Sequence, residues 1–321
     1  MSTTPVTRAD IAAAAERLAS RIRATPILTV PGSQLDSTAT VSMKLEYLQH
    51  SGTFKGRGAM HFMLNNQIAD AGVTAASGGN HGAAVAWAAR ELGHRATIFV
   101  PTISAPAKVA RLRSYGAEVV QVGAVYAESL EACDAHRAET GATGIHAYEA
   151  PDVMAGAGTT GREFEAQVAD AGLPALDAVL VACGGGGLVG GIASWFGPGV
   201  TAVVCETDTT NAYAAAKAAG APVHVDVSGV AADALGASTI GTLAFQALEA
   251  AGAASITVPD DAVVNARRLL WDRFRIVVEP SAAVPVAVLA SGAWEPPAGA
   301  HIGVVVCGAN TGLADLDLVA P

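Results

Sequence analysis

Lys55 lies in Ser51-Gly52-Thr53-Phe54-Lys55-Gly56-Arg57-Gly58, a single amine beside an aromatic ring among small residues, in a loop after a predicted strand. Such a lysine can be held near a flat ring, although a lysine in a glycine-rich loop is more often a solvated turn residue. Ala76-Ser77-Gly78-Gly79-Asn80-His81-Gly82 reads as a strand ending in a small-residue loop, with an Ala-rich helix opening at about His81. Free N–H groups at a helix start bind anions, and short side chains let a carboxylate reach them. A tight turn, with Asn80 at an unusual backbone angle and His81 on the surface, is the plainer reading of the same residues. Cys183-Gly184-Gly185-Gly186-Gly187-Leu188-Val189-Gly190-Gly191 repeats the pattern of strand, loop and helix and suits a phosphate. Gly185, Gly187 and Gly190 also satisfy G-x-G-x-x-G, and Glu206 follows where a dinucleotide fold keeps its ribose-binding acid. Two chemistries are therefore open: a lysine-held ring cofactor, or hydride transfer by an NAD-dependent oxidoreductase.

Positioning these groups requires alternating elements. Residues 41–45, 72–76, 96–100, 118–122, 178–182, 201–205 and 302–306 read as strands separated by Ala-rich helical patterns. That alternation means an α/β fold of parallel sheets covered by helices on both faces. Thr7 and Asp10 form a capping signal for a first helix carrying Ile11, Leu18 and Ile22, which Pro26 is expected to end. A length of 321 residues suggests two modest domains, and 51% hydrophobic against 15% charged residues excludes disorder. A net charge of −10 without basic clusters excludes nucleic-acid binding. Residues 178–205 are uncharged and long enough to cross a bilayer, but their Gly runs and Gly197-Pro198-Gly199 break them, so no membrane role is expected. The first ten residues lack signal-peptide features, and Cys133, Cys183, Cys205 and Cys307 form no CxxC pair. A cytoplasmic protein with neither a disulfide framework nor a zinc site is expected.

S-G-T-F-K, S-G-G-N-H-G, C-G-G-G-G-L and Val306-Cys307-Gly308-Ala309-Asn310 occur in the order found in fold-type II pyridoxal-phosphate enzymes. The chain resembles their serine/threonine dehydratase branch from about Ile11 to Leu318. Residues 101–116, Ala155-Gly156-Ala157-Gly158-Thr159 and Val278-Glu279-Pro280-Ser281-Ala282 resemble further family segments, with Ala157 in place of the family's Gln. The resemblance implies a tryptophan synthase β-like fold. Residues 70–148 would form a small domain and residues 1–69 with 149–321 a large one, with pyridoxal 5′-phosphate in the cleft between.

By that resemblance Lys55 carries the cofactor as a Schiff base and then removes the substrate's α-proton, tasks that suit a desolvated lysine. Phe54 and Ala234 would flank the ring, Asn80 would bond its hydroxyl, and Gly184, Gly185, Gly186, Gly187 and Leu188 would bind the phosphate. Ser77, Gly78 and His81 would hold the substrate carboxylate. Cys307 would meet the pyridine nitrogen, and a weak neutral partner there favours prompt loss of a β-leaving group. The implied reaction is dehydration and deamination of L-serine or L-threonine to pyruvate or 2-oxobutyrate and ammonia, by a homodimer.

The runner-up activities within this cofactor class are β-replacement and racemisation. Synthases of the family usually carry Thr where this chain has His81, and racemases carry a second Ser where it has Gly78. The family's divalent-metal pattern is matched by Glu206 but broken by Ala212. A potassium site of Glu206 with carbonyls near Thr210, Leu235 and Ala237 is the remaining cation reading, set against Glu206 as a solvated acid at a strand end. The nicotinamide reading leaves Lys55 and the S-G-G-N-H-G loop without roles.

Overall fold

β-Branched runs form ten strands, and the Ala-rich stretches among them form twelve α-helices, in the computed structural model, which describes residues 4–312. The end of the family resemblance, residues 313–318, lies outside the described residues. In chain order, α1 (Arg8–Leu18), β1 (Ile27–Pro31) and β2 (Thr40–Lys44) lead to α2 (Lys55–Asn65). β3 (Val73–Ala76), α3 (Asn80–Leu92), β4 (Ala96–Val100), α4 (Pro106–Ser114), β5 (Glu118–Gln121), α5 (Tyr126–Thr140) and β6 (Thr143–Gly144) then alternate. After α6 (Pro151–Asp170) come β7 (Ala178–Ala182), α7 (Gly187–Phe196), β8 (Thr201–Thr207), α8 (Ala212–Ala219), α9 (Ala232–Leu235) and α10 (Thr242–Ala250). β9 (Ala254–Val258), α11 (Asp260–Phe274), α12 (Pro280–Ala290) and β10 (His301–Val305) complete the order.

Two sheets result, ordered β1-β2-β10-β7-β8-β9 and β5-β4-β3-β6. Every pairing is parallel except β1 with β2. The register Val304↔Leu180 between β10 and β7, continued three residues, brings Cys307 level with Cys183 at the head of the glycine loop. One large apolar core lies about the six-stranded sheet. The core of the four-stranded sheet also takes in Leu18, Ala59, Met60, Met63 and Val153, which come from α1, α2 and α6.

Several sequence expectations are corrected. The first helix, capped reciprocally by Thr7 and Asp10, stops at Leu18 rather than at Pro26. The backbone N–H groups of Arg23 and Thr25 bond the side chains of Gln49 and Glu163, which draws the chain off the helix early. β1, β6 and β9 were not expected: β1 and β9 are half-buried edge strands and β6 has two residues, so none carries a long buried run. Lys55 is not in a loop but opens α2. Gly58 and Gly156 let α2 and α6 touch, since a Cβ on either would lie 2.7 Å from a backbone oxygen of the other helix.

A buried ionic cluster fixes α2 at the same point. Arg57 donates to both oxygens of Glu46 at 2.7 Å and to both of Glu163 at 3.0 and 3.1 Å. Lys44 Nζ donates to Glu163 at 2.5 Å and to Gln167 at 2.8 Å. Two cations and two anions balance, and leaving one such buried charge unpaired costs about 3–5 kcal/mol. The helix that presents Lys55 is therefore tied to β2 and α6 two residues beyond the lysine.

Candidate active site

The carboxyl ends of parallel strands from both sheets converge on one cleft, the usual place for a ligand in open α/β sheets. β7 leads into Gly184–Gly187, β10 into Cys307, β3 into Ser77, and α2 presents Lys55. Phe54, Lys55, Asn80, Gly184, Gly185, Gly186, Gly187, Leu188, Ala234 and Cys307 all line one pocket where these elements meet. Ser77, Gly78 and His81 line an adjoining cleft that shares Lys55, Asn80, Gly185 and Ala234 with the first. Glu206 lines neither.

Lys55 Nζ donates to the carbonyl of Ala147 at 2.8 Å and lies 5.2 Å from the Phe54 ring centre. Burial pushes its pKa down to about 8, against the opposing pull of Cys307 and Glu279, so a neutral, nucleophilic amine is accessible near physiological pH. Burial, then the neighbouring Glu279, push the Cys307 thiol up, which keeps it protonated. Its carbonyl accepts the N–H of Phe54 at 3.1 Å, tying the end of β10 to the start of α2.

The glycine loop has no room for side chains. A Cβ on Gly185 would lie 2.3 Å from the Tyr148 ring, one on Gly186 2.6 Å from Ala244, and one on Gly184 3.0 Å from Leu235. Gly186 also has φ +87°, a left-handed conformation that glycine adopts freely. The loop runs straight into α7, whose first N–H groups have no carbonyl one turn back.

The second loop turns tightly because residue 82 is glycine: a Cβ there would lie 1.9 Å from Ser77 O. Asn80, not His81, begins α3. His81 is buried rather than on the surface, and its Nε2 bonds Ile145 O at 2.8 Å. Burial, followed by the nearby Lys55, holds its pKa down at about 3, so the imidazole is neutral.

Glu279, not singled out as a site residue from sequence, organises the far wall. Its carboxylate accepts Asn80 Nδ2 at 2.7 Å, Ser281 Oγ at 2.7 Å and the N–H of Asn310 at 3.2 Å, while Asn310 Nδ2 donates to Asn80 Oδ1. Its place inside the E-P-S-A segment was the available signal. Tyr148, whose ring faces Gly185, was also missed, and nothing in its neighbours along the chain marks it.

Glu206 is buried, not solvated. Its two oxygens accept the N–H groups of Tyr213 and Ala214 at 2.8 and 2.9 Å, capping α8. Burial raises its pKa to about 7 against those two bonds. Among the described residues no group of three or more His, Cys, Asp or Glu could hold a metal ion. A buried helix cap also cannot reach a ribose, so the G-x-G-x-x-G reading loses its acid.

The chain belongs to the pyridoxal-phosphate dependent enzyme family, whose sequence profile matches residues 18–308. It is 34% identical to phenylserine dehydratase of Ralstonia pickettii, covering 95% of this chain and 93% of that one. It is 33% identical to L-threo-3-hydroxyaspartate ammonia-lyase of a Pseudomonas species, covering 94% of each chain. The structure of maize serine racemase superposes with a TM-score of 0.90 at 27% identity, over 98% of this chain and 96% of that one. The fold is thus that of fold-type II pyridoxal-phosphate enzymes, and the family's cofactor is pyridoxal phosphate. The residues present fit it: a glycine loop at a helix start for a phosphate, a half-buried amine with a lowered pKa, a neutral buried thiol, and Phe54 and Ala234 on the walls.

Proposed function

We propose that this chain catalyses the elimination of water from a 3-hydroxy amino acid, releasing a 2-oxo acid and ammonia, with Lys55 as the base. The observation that carries the proposal is the Lys55 amine, held on a carbonyl rather than on an acid, facing the glycine loop across a pocket that also contains a protonated Cys307. Pyridoxal phosphate, when bound, supplies an electrophilic carbon for the substrate amine and an electron sink for the α-carbon.

The N–H groups of Gly184 to Leu188 would hold its phosphate, Phe54 and Ala234 would flank its ring, and Asn80, aligned by Glu279 and Asn310, would meet its hydroxyl. Cys307 would face the pyridine nitrogen as a neutral thiol, too weak an acid to hold a proton there. Ser77, Gly78 and His81 would seat the substrate carboxylate mainly through backbone N–H groups, because the His81 imidazole is uncharged and engaged with Ile145. Lys55 Nζ takes the α-proton and, then cationic, can return it to the departing β-hydroxyl as water leaves. The released enamine adds water and splits into the 2-oxo acid and ammonia, so atoms balance without an oxidant.

The substrates named for the similar proteins differ at the β-carbon, which carries phenyl or carboxylate in the two relatives and only hydrogen in serine. Elimination from L-serine and L-threonine is the reading carried over from the sequence. Racemisation would need a proton donor opposite Lys55, and Gly78 offers none. We extend the proposal to a homodimer working in the cytoplasm, where the four buried, unpaired cysteines would stay reduced. Purified protein supplied with pyridoxal phosphate should release 2-oxo acid and ammonia in equal amounts from at least one 3-hydroxy amino acid. Lys55→Ala should lose that activity entirely; product from the Lys55→Ala protein contradicts the proposal.

A further inference from the structure

We infer that the cleft is built for a 3-hydroxy amino acid whose β-carbon bears a bulky apolar group, best an aromatic one, read by Ile103 and Tyr126. The inference rests on the elimination reading above and specifies its substrate. The cleft of about 590 Å³ runs from Lys55, Asn80 and Gly185, where the cofactor would sit, outward between the Ser77–His81 turn, the loop after β4 and the start of α5. The hydroxymethyl group of serine is too short to cover the outer end of this cleft, where Ile103 and Tyr126 lie.

Two large apolar side chains line this space without being packed: Ile103 is 79% and Tyr126 57% exposed. Apolar surface left open at a cleft gains when a ligand covers it, at about 25 cal/mol per Å², and Tyr126 and Tyr148 offer ring faces to an aromatic group. The charge pattern argues the same way. Apart from Lys55, the charged residues lining the cleft are Lys108 and Asp233, and they are paired with each other. A second substrate carboxylate would find no unpaired cation and would meet Asp233, a built-in rejection of acidic side chains. His81 gives no help, being buried and bonded to Ile145 O.

The test uses the holoenzyme and compares kcat/KM for 2-oxo acid formation from L-threo-3-phenylserine, L-threonine, L-serine and L-threo-3-hydroxyaspartate. Phenylserine should exceed serine by about tenfold or more, the scale that apolar pocket contacts confer, and hydroxyaspartate should be poorest. Ile103→Ala and Tyr126→Ala should each lower the phenylserine-to-serine ratio of kcat/KM, by about tenfold. Serine or hydroxyaspartate as the best substrate would overturn the inference while leaving elimination intact. An equal fall for all substrates in both variants would also overturn it, since that is the mark of an interface or folding role. Activity on none of the four would overturn the elimination reading and this inference with it.

Discussion

The chain has four lysines, and the structure gives three of them other employment. Lys44 is bound to Glu163, Lys108 to Asp233, and Lys217 donates to the carbonyl of Ala253. Lys55 alone lines the pocket with the glycine loop. Its lowered pKa has a direct kinetic consequence. Below a pH of about 8 the amine holds a proton and has no lone pair to offer; above it the amine is neutral. The rate at which cofactor-free protein develops colour with pyridoxal phosphate should therefore rise about tenfold per pH unit up to roughly 8 and then level off. A rate still climbing toward the ordinary lysine value of about 10.4 would show that burial does not tune this amine. Asn80 illustrates a second residue-scale point: both ends of its amide are fixed by Glu279 and Asn310, so its orientation is set before any ligand arrives.

At the scale of elements, the glycine loop and α7 work only because Tyr148, Leu235 and Ala244 fill the space where side chains would go. Gly185→Ala should weaken cofactor binding by about 1–3 kcal/mol, the usual cost of overpacking, seen in an absorbance titration. Adding Tyr148→Ala should restore part of that loss, because the two changes share one contact; a double variant no better than the single one would place the cause elsewhere. The elements also show what sequence can and cannot carry. β4 and β7 were legible to the residue because their β-branched runs are buried throughout. β1 and β9 were not, because an edge strand buries too little to leave a continuous run. Lys55 read as a loop residue since Gly56 and Gly58 imitate loop composition; within α2 they are instead the positions where Trp87 and Val153 leave no room for a side chain. The glycine loop, Asn80 and Cys307 were legible as motifs. The part played by Glu279 was not, since it exists only where α3, α12 and the chain after β10 meet.

At the scale of the whole molecule, two sheets face one cleft and few side chains bridge its mouth. Lys108 on α4 pairs with Asp233 on α9, and Asn80 on α3 bonds Glu279 at the head of α12. We propose residues 70–148 as the small domain and residues 1–69 with 149–321 as the large one, a division supported by the separate sheets though their cores share helices. Substrate and cofactor together should then slow amide hydrogen exchange in residues 77–81 and 232–238 in concert, while α8, none of whose residues lines the cleft, stays unchanged. Slowing on one side alone would argue against joint closure.

The central claim is that Lys55 holds the cofactor in this cleft, and the most direct measurement is borohydride reduction of the coloured protein followed by peptide mapping. The pyridoxyl group, fixed irreversibly to its lysine, should be found on the peptide containing Lys55 in stoichiometric amount, with activity lost in parallel. A label on Lys44, Lys108 or Lys217 with Lys55 unmodified would contradict the account.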